Sequence, residues 1–138
     1  MNPSSSGPAC VMLSVVTLLS LGCGSSRQLQ SVTLSPTSAD AQDFANGEVS
    51  FSATGMFSKP PSPQPLTSKD VTWCVGSSAG FCAGNISPGA TVDPNGVAKC
   101  APNFSGVATI LAGEATPVMS PDTGPKMTVF GTAQLKCP

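Results

Sequence analysis

Over most of its length the chain alternates apolar and polar residues in short runs separated by turn-forming residues. Residues 48–57, EVSFSATGMF, place Val49, Phe51 and Ala53 on one face of an extended segment and small polar side chains on the other. Such period-two alternation predicts a β-strand with one buried face. No segment shows the apolar period of three to four residues that an amphipathic helix requires. We therefore expect an all-β domain.

Further strands are predicted wherever this alternation recurs between turn signals. The predicted strands cover residues 31–35, 48–57, 70–75, 91–93, 96–100, 106–112 and 126–136. Pro94-Asn95-Gly96 is a strong turn signal and predicts a hairpin. Residues 58–68 are rich in proline, which cannot donate to a sheet, and we expect a loop there. About seven short strands of this kind predict a β-sandwich.

Four residues are expected to anchor the core of this sandwich. Phe51, Val71 and Trp73 occupy inward positions of their strands, and Ile110 lies in an almost wholly apolar run typical of a central strand. Trp73 is the only tryptophan. The alternative role for its ring is a platform on which a sugar stacks, but an inward tryptophan in a sandwich more often fills the core.

The N-terminal region predicts export. Residues 10–22 form an uncharged, mainly apolar run that is too short to span a membrane but matches the core of a signal peptide. It ends in Leu19-Ser20-Leu21-Gly22-Cys23 before a Gly/Ser stretch, which resembles the lipobox of bacterial lipoproteins. The resemblance implies that residues 1–22 are removed and that the Cys23 thiol carries a lipid. The protein would then be exported and anchored to the membrane of the bacterial cell envelope.

Two alternatives to lipidation stay open from the sequence. One is an ordinary secretory signal that leaves Cys23 as a spare thiol, and the other is an uncleaved single-pass anchor. In the lipoprotein interpretation, residues 23–30 are a flexible tether and residues 31–138 are the β-sandwich domain.

The remaining cysteines are expected to form disulfide bonds. The chain has six cysteines, of which Cys10 lies in the signal segment. Four belong to the domain: Cys74, Cys82, Cys100 and Cys137. Disulfides suit an exported protein, and the strand order suggests that all four cysteines gather at one pole, opposite the lipidated terminus. All three pairings are then geometrically conceivable, and we favour Cys74–Cys82 with Cys100–Cys137. A zinc site is disfavoured because no C-x-x-C and no histidine are present.

Composition excludes several classes of function. The sequence has no histidine, so Ser-His-Asp and Cys-His nucleophilic sites cannot form. Its seven acidic residues are scattered along the sequence rather than paired, which disfavours glycoside hydrolysis. The net charge of −1 lacks the basic surplus of a nucleic-acid-binding protein. We expect no enzyme activity, no metal and no cofactor.

Five segments in order resemble the bacterial immunoglobulin-like domain, group 2. They are SVTLSP, FSATG, LTSKDVTW, ATVDPNGVA and GVATILAG, within residues 29–113. The chain departs from that family in its cysteines and in inserts at residues 76–89 and 114–125. The resemblance implies an immunoglobulin-like β-sandwich and a non-catalytic lipoprotein used for adhesion, for binding a protein or glycan ligand, or for envelope structure. The alternative is an accessory subunit of an envelope or carbohydrate-processing complex whose partner carries the activity.

Overall fold

A computed structural model describes residues 25–83, 89–117 and 124–138 of the chain. Strands dominate these residues, and the only helical elements among them are two single 3-10 turns. The strands of the described residues are β1 (Leu29–Ser35), β2 (Ser38–Asp40), β3 (Glu48–Ser50), β4 (Ser52–Phe57), β5 (Gln64–Leu66), β6 (Thr72–Gly76), β7 (Ala90–Val92), β8 (Val97–Cys100), β9 (Gly106–Ala115) and β10 (Met127–Cys137). The all-β prediction is confirmed.

Three sheets surround one core. The largest has the order β2-β10-β9-β6, and two smaller sheets have the orders β1-β4-β5 and β3-β8-β7. The smaller sheets are joined because β3 and β4 are separated only by Phe51, whose N–H donates to the carbonyl of Gly96 at 2.9 Å. All three sheets contribute buried side chains to one hydrophobic cluster. This arrangement is consistent with an all-β sandwich.

Three of the four predicted core residues are deeply buried. Phe51 is 2 %, Val71 6 % and Ile110 0 % exposed. Trp73 is half-buried and packs against the same cluster from an edge strand. Strand β9 is central between β10 and β6, and Ile110 and Leu111 are both fully buried although they point to opposite faces. The prediction of a central strand buried on both faces is therefore confirmed.

The hairpin predicted at Pro94-Asn95-Gly96 connects β7 and β8. The carboxylate of Asp93 closes its turn by accepting hydrogen bonds from the N–H groups of Asn95 and Val97, both at 2.8 Å. Gly96 adopts a φ of +83°, and a Cβ atom there would collide with the Phe51 carbonyl oxygen and with the Trp73 ring, so no side chain fits.

The structure contains elements that the sequence pattern did not predict. After β1 the chain crosses to the large sheet, where β2 pairs in parallel with the end of β10. The 3-10 turns follow at Ala41–Asp43 and Ala45–Gly47. The proline-rich loop contains β5, an edge strand, which is where a sheet tolerates proline.

The segment predicted as a flexible tether is bound to the domain over residues 25–30. The N–H of Ser58 donates to the Gln28 carbonyl at 2.9 Å, and the Gln28 N–H donates to the Ser58 hydroxyl at 3.0 Å. Leu29 already belongs to β1. Cys23 and the predicted signal, residues 1–22, lie outside the described residues. In the described ranges no helix has the length and apolar character needed to cross a bilayer.

Candidate functional site

A groove at one pole of the sandwich has a volume of about 670 Å³. One wall is the segment 41–47, which carries both 3-10 turns. The other wall is the connection between β8 and β9, residues 101–105, and Pro138 closes one end. We call this concavity the polar groove, a name that refers to its position at one pole of the sandwich and not to its chemistry.

Local hydrogen bonds shape the first wall. Asp40 begins the first 3-10 turn, because its Oδ1 accepts the Gln42 N–H at 3.1 Å. The two turns meet at Phe44, whose carbonyl accepts the Gly47 N–H at 3.0 Å. Asn46 there takes a φ of +60°, which asparagine tolerates better than most residues. The result is a tight corner that leaves the Phe44 ring 41 % exposed beside the groove.

Phe104 forms the apolar part of the second wall. Its ring packs against the main core and lies over Gly89, where a Cβ atom would collide with it. The disulfide Cys100–Cys137 joins the end of β8 to the end of β10 directly behind this wall. The residue before Phe104, Asn103, has a φ of +62°. Two aromatic rings and two asparagines in left-handed conformation therefore border one concavity.

Both lysines beside the polar groove form ion pairs with carboxylates. The Lys99 ammonium lies 3.4 Å from the Glu48 carboxylate, and the Lys136 ammonium lies 2.8 Å from Asp40. The hydrogen bond from Lys136, with that from the Gln42 N–H, lowers the pKa of Asp40, and the same ion pair raises the pKa of Lys136. The groove therefore suits a ligand without strong net charge.

The groove presents binding groups rather than a set of reacting groups. Its polar side chains are amides, a serine hydroxyl and an ion-paired lysine. In the part of the chain that the structure describes, no three His, Cys, Asp or Glu residues are close enough to hold a metal ion.

The structure contains both disulfides favoured from the sequence, Cys74–Cys82 and Cys100–Cys137. The expectation that they share one pole is wrong. Cys74 lies opposite Leu111 in the middle of β9, whereas Cys137 lies opposite Gly106 at its start. At the rise of a β-strand these two levels are about 17 Å apart.

The Cys74–Cys82 bond instead covers the outer face of the large sheet. Cys82 is 6 % exposed and packs with Leu111 and Met127 in a second, smaller hydrophobic cluster. The intervening loop folds over this face, and Gly80 lies directly on the Phe130 ring. This bond therefore staples a loop across a sheet, at a distance from the polar groove.

Trp73 lies between two smaller clefts of about 220 and 280 Å³. Both clefts are shared with Pro94 of the β7–β8 turn. A Cβ atom at Gly96 would collide with the Trp73 ring, so the indole packs closely against the β7–β8 turn.

Sequence reasoning did not identify the wall formed by residues 41–47. The dipeptide Asn46-Gly47 is a turn signal, but nothing local shows that this turn lies beside residues 101–105.

No protein-family model matches the sequence, and no curated protein is significantly similar to it.

Proposed function

We propose that this chain is a non-catalytic, exported lipoprotein of the bacterial cell envelope, anchored through Cys23, whose immunoglobulin-like domain binds a ligand in the polar groove. The observation that carries the proposal is the position of the groove relative to the N-terminal segment. Strand β10 spans eleven residues between the two poles, which corresponds to about 35 Å. The chain enters at the pole near Met127, and the groove lies beyond Cys137 at the other. A lipid on Cys23 would therefore present the groove away from the membrane.

The strand order supports an immunoglobulin type of sandwich. In that fold one sheet contains the strands ABED and the other contains CFG. Here β1 pairs with the long strand β3–β4, which also pairs with β8, and β8 pairs with β7. The opposite sheet has the order β6-β9-β10. This assignment gives seven principal strands and places Trp73 on strand C, where the fold has its characteristic tryptophan. Its disulfides, however, are not the B–F bond of antibody domains.

The lining of the groove favours an uncharged ligand that combines polar and apolar surface. The Phe44 and Phe104 rings offer apolar contact, while the side chains of Gln42, Asn46 and Asn103 offer both donors and acceptors. A glycan or an exposed peptide segment has this character.

The anchor is tested by fractionation of cells that produce the wild-type chain or Cys23→Ser. The proposal expects wild-type protein in the membrane fraction and Cys23→Ser in the soluble exported fraction. Equal distribution of the two proteins would contradict lipidation.

The groove is tested by capture of ligands from envelope extracts. Phe44→Ala should reduce capture at least tenfold, which corresponds to the loss of one central aromatic contact. Met56→Ala is the matched control, because Met56 is similarly exposed (45 %) but lies at the opposite pole. Equal capture by the two variants would contradict the groove. Stoichiometric capture of an enzyme would favour the accessory-subunit function.

A further inference from the structure

The pole at which residues 25–28 enter the domain, opposite the polar groove, is called the N-terminal pole. Its surface includes the segment 25–28, which is bound to the proline-rich loop. Arg27 lies across the proline-rich loop, with its guanidinium carbon 3.5 Å from the centroid of the Phe57 ring. Its Nε donates to the Lys59 carbonyl at 3.0 Å, and its Nη2 donates to Gln64 Oε1 at 2.7 Å and to the Pro61 carbonyl. The Lys59 ammonium in turn donates to the Ser25 carbonyl. Residues 25–28 are thus held against the loop by several bonds.

This attachment restricts how far the domain can move from an anchor on Cys23. Cys23 precedes Ser25 by two residues, so the anchored thiol-bearing residue lies within about 7 Å of the Ser25 backbone even when the chain is fully extended. The proline-rich loop contacts Ser25 directly through Lys59. The loop would therefore lie within about one Debye length of the lipid headgroups.

The charges on the described residues differ between the two poles. Arg27, Lys59 and Lys69 lie at the N-terminal pole, and Lys126 immediately precedes β10 at the same level. All four basic residues are exposed, and the nearby carboxylates are those of Asp70, which lies within range of the Arg27 charge, and Glu114. At the groove pole the carboxylates outnumber the lysines. The carboxylates are those of Asp40, Asp43 and Glu48, and the lysines are Lys99 and Lys136.

We propose that the N-terminal pole is a membrane-docking surface that binds anionic lipid headgroups through Arg27, Lys59 and Lys126. This inference rests on the proposed lipid anchor. Docking there holds the domain upright, so that the groove stays about 35 Å from the bilayer instead of sweeping across its surface. Each basic residue near an anionic surface strengthens binding by about fivefold.

The test is lysine acylation on the full-length protein purified from membranes and reconstituted into vesicles. The vesicles contain about 30 mol % phosphatidylglycerol in phosphatidylcholine, or phosphatidylcholine alone. In the anionic vesicles Lys59 and Lys126 should react several-fold more slowly than in detergent, relative to Lys99 and Lys136 in the same molecules. The protection should be lost in neutral vesicles and at about 1 M salt. Unchanged relative rates in anionic vesicles would overturn the docking surface.

A second measurement uses charge-neutralising variants of the soluble Cys23→Ser protein. Lys59→Gln combined with Lys126→Gln should lower partitioning onto the anionic vesicles by about 25-fold. The matched control, Lys99→Gln with Lys136→Gln, should leave partitioning within about twofold. Equal effects of the two pairs would also overturn the proposal. A melting curve of each variant verifies that it is folded.

The mass of Cys23 separates this inference from the proposed function. A lipid on Cys23 with unprotected Lys59 and Lys126 would keep the anchor and overturn the docking surface. Protection without a lipid on Cys23 would overturn the anchor and keep the surface. Failure of both measurements would overturn both.

Discussion

The two disulfide bonds should differ in how much they stabilise the domain, because they close loops of different length. Cys100–Cys137 joins residues 37 apart, and Cys74–Cys82 joins residues 8 apart. In the chain-entropy model the longer loop contributes about 4 kcal/mol and the shorter one about 2.5 kcal/mol to the free energy of unfolding. Loss of packing should be similar for both pairs, since each contains one half-cystine that is less than a tenth exposed.

The perturbation is replacement of each cysteine pair by alanine in the β-rich domain. Urea denaturation, followed by the fluorescence of Trp73, measures the free energy of unfolding for each variant. We expect Cys100→Ala/Cys137→Ala to lose more than Cys74→Ala/Cys82→Ala by about 1 kcal/mol, which also lowers its melting temperature by a further 4 °C or so. An equal loss, or a greater loss from the shorter loop, would refute the entropic reasoning.

Three further predictions concern single residues of the fold. Gly96→Ala should lower the free energy of unfolding by about 2 kcal/mol or more, because the backbone φ is positive and a Cβ atom has no space. The control Asn95→Ala, in the same turn, should change the free energy of unfolding by no more than about 0.5 kcal/mol. Similar losses in the two variants would contradict the steric role of Gly96. The pKa of Asp70 is lowered chiefly by hydrogen bonds from the hydroxyl and N–H of Thr67, so its contribution to stability is present above about pH 4 and is lost as the pH falls further. Asp70→Asn should therefore reduce stability at neutral pH but not at about pH 2, and a constant difference between the two proteins over that range would oppose this assignment. Ile110→Val should cost about 1 kcal/mol in urea denaturation because Ile110 is fully buried, and no measurable cost would mean that the core relaxes around the missing methyl group.

Local patterns in the sequence were sufficient to predict the strands whose pairing partners are close along the chain. The β7–β8 hairpin is one example, since Gly96 and the Asp93 carboxylate together encode its turn. The alternation in residues 48–57 predicted one strand, and the structure has two segments there with Phe51 between them. The interruption arises because the two halves pair with different strands, which is not visible in the strand's own residues.

The polar groove depends on contacts between distant parts of the chain. Its first wall follows β2, which forms because Ser38–Asp40 pairs with residues near the C-terminus. No periodicity marks such a short strand or the 3-10 turns after it. The position of Cys74–Cys82 was missed for a related reason. Strand order determines at which end a strand finishes, but a loop that folds back over the sheet can reach a cysteine in the middle of the strand.

The proposed lipid on Cys23 would give the two poles their different roles. The most direct test is the intact mass of the protein extracted from membranes, with tandem mass spectrometry of its N-terminal peptide. The proposed anchor predicts a mature chain that begins at Cys23 and carries acyl chains on that residue. A chain that begins elsewhere, or an unmodified thiol at Cys23, would contradict it.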